Sequence, residues 1–140
     1  MNFEFAEQVN PYLRNGDFSK ALEIAERELK KMPVTDYHWV IGHSMLHNAD
    51  ALINWIDEFF QCMPETMEVK ALYFEMCEFE INTYEWTVSG FAYSEDGGLD
   101  EEDMEWLCDV TEDTVTKKEF VITRYEKLQS AFEMEADTDA

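Results

Sequence analysis

The stretch Glu68–Ser94, EVKALYFEMCEFEINTYEWTVSGFAYS, decides between two fold classes. It is dense in Val, Ile, Tyr, Phe, Trp and Thr, the β-branched and aromatic residues that fit a pleated, half-buried surface. The short polar pair Asn82-Thr83 divides it into two runs, which predicts two antiparallel strands. A helix over Glu68–Glu80 competes with this, because Val69, Leu72, Met76 and Phe79 also recur near a 3.6-residue period. Two strands make the chain α+β, and a helix would make it all-α. The β-rich composition favours the strands, so an α+β fold is expected.

Toward the N-terminus the pattern is helical. Phe3, Phe5, Ala6, Val9 and Tyr12 recur at helical spacing, and the pattern stops near Arg14-Asn15-Gly16-Asp17. A second helix follows, with Phe18, Ala21, Leu22, Ala25 and Leu29 as its apolar stripe. Lys30 and Lys31 occupy its last turn, where cations suit the helix dipole, and Pro33 closes it. TDYHWVIGHSMLHN (35–48) predicts a third helix with Trp39, Val40, Met45 and Leu46 inward. Asn48 or Asp50 then caps a fourth, ADALINWIDEFFQCM (49–63), which ends before Pro64.

These four helices resemble tetratricopeptide repeats. In the first copy Phe5, Tyr12, Gly16, Asp17, Phe18, Ala21, Ala25 and Pro33 fall where that family places its large aromatics, its turn, its small packing residues and its terminating proline. Trp39 lies 34 residues after Phe5, while Ala51 and Trp55 follow Ala21 and Ala25 by only 30, so the second copy has a shortened turn. The resemblance covers residues 2–64 and implies two helical hairpins. Two such units are fewer than a free-standing solenoid needs. The apolar face of the sheet is expected to cap them.

Beyond Ser94, SEDGGLDEED is an acidic, glycine-containing loop. MEWLCDV (104–110) and EFVIT (119–123) read as two further short strands around the polar link TEDTVTKK. Thr123 and Glu126 have the spacing of a capping box for a last helix, RYEKLQSAFEM, after which EADTDA should fray. The expected organisation is a single domain over 1–140. It has a helical half at 1–64 and an acidic half at 65–136 that holds an antiparallel sheet and a C-terminal helix.

The charge is strongly one-sided: 32 acidic against 10 basic side chains give −22. Residues 65–140 carry 22 acids and 5 bases, against 10 and 5 in residues 1–64. Such a field disfavours nucleic acid and anionic membrane surfaces as partners, and it accelerates encounter with a basic protein. The N-terminal residues lack the basic and apolar regions of a signal peptide, and no run reaches 18 apolar residues, so a cytoplasmic location is expected. Cys62, Cys77 and Cys108 are odd in number and far apart, as reduced thiols would be.

Catalytic signals are absent from the sequence. There is no GxSxG, no glycine-rich phosphate loop and no cysteine with a recognisable histidine partner motif. His43, His47 and Asp50 would align on a straight helix as metal ligands, but Asn48 interrupts that helix and the ligand count is short, so packing or surface histidines are expected. No cofactor and no metal are implied. Asp96, Asp100, Glu101, Glu102, Asp103 and Glu105 lack the ligand alternation of a calcium loop, and they stand as the candidate contact region for lysines and arginines of a partner.

KALYFEMCEFEINTYEWTVSGFAYSEDGG, EWLCDV and RYEKLQSAF together resemble small acidic immunity proteins of bacterial polymorphic-toxin systems. That resemblance implies a non-enzymatic inhibitor which covers a basic toxin. Two other functions compete with it: a tetratricopeptide-like adaptor or chaperone that binds peptides, and a nucleic-acid mimic.

Overall fold

A computed structural model describes residues 3–77 and 85–138. The protein is α+β, and its chain forms two compact units, one ending at Ser44 and the other beginning at Met45.

The first unit is a helical hairpin followed by a 3₁₀ turn. α1 spans Phe3–Arg14 and α2 spans Phe18–Lys31. Gly16, at φ +74°, supplies the left-handed residue that the tight turn between them requires. The Asp17 side chain then accepts the Lys20 N–H at 3.1 Å and caps α2. At the other end Lys31 pairs with Glu28 at 2.8 Å, and the Met32 N–H closes on the Leu29 carbonyl.

The buried face of α2 differs from the expected stripe. Ala21 and Ile24 are buried and Ala25 and Leu29 half-buried, but Phe18 is 68% exposed and Leu22 58%. At 100° per residue, a face centred on Ala21 and Ile24 turns Phe18 and Leu22 to its flank.

The third helical element is short and tight. Asp36–Val40 forms a 3₁₀ helix, and Leu46–Asn48 forms a second 3₁₀ turn at the start of the next unit. Thr35 and His38 close the first turn reciprocally, the Thr35 N–H donating to His38 Nδ1 at 3.1 Å. Gly42, at φ +79°, then forbids a right-handed continuation, so residues 35–48 do not make one long helix.

The second unit packs two helices with a three-stranded sheet. α3 spans Ala49–Gln61 and, as expected, ends before Pro64. β1 (Ala71–Cys77) and β2 (Thr87–Tyr93) pair antiparallel with Phe74 opposite Gly90, so the strand reading of this region holds for the described residues. The expected continuation of the first strand and the Asn82-Thr83 turn lie outside the described residues. β3, Phe120–Val121, pairs antiparallel with Thr87 and Val88 and gives the order β1-β2-β3. Further along the same edge of β2, Val115 bridges to Phe91.

Trp55 on α3 stands 5.9 Å from the rings of both Phe74 and Phe120, which covers one face of the sheet. Gly90 leaves the space this requires, because a Cβ there would lie 2.9 Å from the Phe74 ring. α4, Glu126–Thr138, runs past the end expected for the last helix. Its Phe132, and Tyr125 just before it, pack against Trp86, which is completely buried.

The Thr123–Glu126 capping box does not form. The Thr123 hydroxyl donates instead to Asn48 Oδ1 at 3.0 Å, and Glu126 accepts the Arg124 N–H. Asn48 occupies the N-cap position of α3, yet its side chain makes no cap bond for the same reason.

Candidate functional site

The six acidic residues singled out from the sequence lie on the connection that leaves β2. Asp96, Asp100, Glu101, Glu102, Asp103 and Glu105 are all exposed. Two of them also shape the loop: Asp96 Oδ1 accepts the Gly98 N–H at 2.9 Å, and Asp100 Oδ1 accepts the Glu102 N–H at 3.0 Å. Such side-chain turns hold short acidic segments in defined conformations.

Aromatic side chains anchor the loop. MEWLCDV, expected as a strand, instead makes a 3₁₀ turn at Glu105–Cys108 that carries Trp106 back over the loop. A Cβ at Gly97 would land on the Trp106 indole, so glycine is what allows the chain to lie flat on that ring. Trp106 packs edge-on to Tyr93 with centroids 4.9 Å apart, and the Tyr93 hydroxyl donates to the Leu107 carbonyl at 3.0 Å. Burial pushes the Tyr93 phenol above its usual pKa, with the nearby Tyr73 and Glu75 adding to the effect. The loop is therefore seated on the end of the sheet rather than draped in solvent.

Charge concentrates here. Between Ser94 and Thr116 the chain has ten acidic and no basic side chains. The next two residues, Lys117 and Lys118, form the summit of an arch between the Val115 bridge and β3. Thr116 docks one foot of the arch, its N–H donating to the Gly90 carbonyl at 2.9 Å and its Oγ1 accepting the Gly90 N–H at 3.1 Å. Trp55 Nε1 donates to the Lys118 carbonyl at 2.8 Å, and Ser89 donates to Glu119 at 3.2 Å.

A groove of about 630 Å³ opens between this arch and β2, lined by Thr87, Ser89 and Phe91 together with Lys117, Lys118 and Glu119. Sequence reading treated TEDTVTKK only as a polar link and missed the groove. The adjacent lysines were its one available signal.

The two histidines fall in different units. His43 stacks on Trp39 at 3.9 Å, whereas His47, in the other unit, donates through Nε2 to the Thr123 carbonyl at 2.8 Å. No group of three or more His, Cys, Asp or Glu side chains able to hold a metal ion occurs among the described residues. Cys62, Cys77 and Cys108 are free thiols. No described helix is long and apolar enough to cross a membrane.

The fold and loop define an α+β protein with a seated acidic surface. No protein-family profile, curated protein or solved structure matches the chain.

Proposed function

We propose that the protein binds and masks a basic protein partner, acting as a non-enzymatic inhibitor of the kind that neutralises a toxin. The observation that carries this reading is the exposed set Asp96, Asp100, Glu101, Glu102, Asp103 and Glu105, held on the Tyr93–Trp106 anchor. A loop backbone seated in advance lowers the ordering cost of meeting lysines and arginines. The surrounding negative field steers a basic surface toward them. The cytoplasmic location belongs to the same proposal.

The test is affinity capture from the source cells with the full chain, compared with a variant carrying Asp100→Asn, Glu101→Gln, Glu102→Gln and Asp103→Asn. The wild-type chain should retain a basic protein at about 0.1 M salt and release most of it at about 0.5 M, where the screening length shortens. The variant should associate about tenfold more slowly, because peripheral charges act mainly on the on-rate. Capture of the same partner unchanged by both the salt and the substitutions would overturn the proposal.

A further inference from the structure

β1, described over Ala71–Cys77, is an edge strand, and among the described residues it pairs only with β2. Natural sheets guard such edges with proline, charged side chains or a bulge, because the unpaired backbone groups template another strand. Ala71–Cys77, ALYFEMC, has no proline and a single charged side chain, Glu75, and both of its faces reach solvent: Leu72 is 37% exposed, Tyr73 37% and Met76 45%.

The register shows which backbone groups of β1 have no partner among the described residues. Gly90 gives its N–H and C=O to Thr116, and Trp86 gives its C=O to Ile122, so the even-numbered residues of β2 face away from β1. Their antiparallel partners, Leu72, Phe74 and Met76, therefore turn N–H and C=O to the open edge.

We infer that this edge is the interface between two copies of the chain, paired antiparallel about a two-fold axis at Phe74. In that register Phe74 bonds to Phe74 of the second copy, and Leu72 and Met76 exchange bonds with Met76 and Leu72. All three residues are thereby satisfied. The side chains match as well. Leu72 meets Met76 on one face, Tyr73 meets Glu75 on the other, and Ala71 meets Cys77, so each carboxylate faces a phenol rather than its own copy. A two-fold interface requires this self-complementarity, with residue i meeting j and j meeting i.

The contact joins two three-stranded sheets into one and opposes two chains of net charge −22. Added salt strengthens it by screening that repulsion. Binding of a basic partner through the acidic loop responds to salt in the opposite sense, so the two proposals stand or fall separately.

The test is sedimentation of the full chain from about ten micromolar to about one millimolar, the range for a small interface. A reversible dimer is expected at about 0.5 M salt, weaker by at least about tenfold at about 0.1 M. Met76→Lys should weaken it about tenfold, since each cross-strand pair occurs twice. Register is read in a Cys62→Ser, Cys108→Ser background with Ala71→Cys, where mild oxidation should link residue 71 of one copy to Cys77 of the other. Facing non-hydrogen-bonded positions lie within disulfide reach. A monomer throughout this range at both salts would overturn the inference. So would a dimer unaffected by Met76→Lys, or oxidation that produces no 71–77 link.

Discussion

Gly97 carries more than the flexibility expected of a loop glycine. Its lack of a Cβ lets the acidic segment lie against Trp106. Gly97→Ala should push the loop off that ring at a cost of about 1–3 kcal/mol, the range for overpacking, and should accelerate amide exchange from Gly97 through Glu105 more than elsewhere.

Tyr93 gives a pH signature. Its folded pKa is raised by burial, so the folded protein holds the phenolic proton after the unfolded chain has begun to lose it. The associated stability is therefore complete below the ordinary value of 10.0 and is lost as pH climbs through the folded pKa. Tyr125 and Tyr73 shift in the same direction and steepen the loss. Urea midpoints of wild type and Tyr93→Phe, measured from about pH 8 to about pH 11, should converge as pH rises. None of this could be read from Gly97-Gly98 in the sequence, because which aromatic ring meets a glycine is set by the turn at Glu105–Cys108.

At the scale of elements, the strand reading of Ala71–Cys77 and Thr87–Tyr93 was legible because β-branched and aromatic density separates a sheet from a helix even where the periodicities overlap. α1, α2 and α3 were equally legible from their spacing and their stops at Gly16, Pro33 and Pro64. The segment from Asp36 to Asn48 was not. Its apolar residues fit a helical period, but Gly42 at positive φ and the Thr35–His38 closure divide it into 3₁₀ turns. The same limit applied to α2, where period alone could not say whether Phe18 or Ile24 is buried.

The capping box at Thr123 failed for a different reason, since a residue far along the chain claimed the hydroxyl. Asn48→Ala should leave Thr123 without that acceptor and cost about 1–3 kcal/mol, lowering the melting temperature of the second unit. A loss of no more than about 0.5 kcal/mol, the low end for one hydrogen bond, would show that the Thr123 bonds carry little.

Across the whole molecule, composition announced the acidic character and sequence position located the loop, yet neither revealed the seat beneath it or the groove under the Lys117–Lys118 arch. Those arise from pairings between distant segments. The charge itself has a physical cost. A chain at −22 repels itself, so its denaturation midpoint should rise between about 0.05 M and about 0.5 M salt, before any partner is added.

The knot formed by His47, Asn48 and Thr123 also sets the order of assembly. It joins positions 75 and 76 residues apart, and Trp86 needs Tyr125 and Phe132 from the same late segment. During synthesis α3 and the β1–β2 pair emerge long before the residues that lock them. Until then the Trp86 indole has incomplete cover, and closing so long a loop is slow. The second unit is therefore expected to be completed late, by its last helix, and pulsed amide exchange during refolding should show Trp86 and its neighbours protected last.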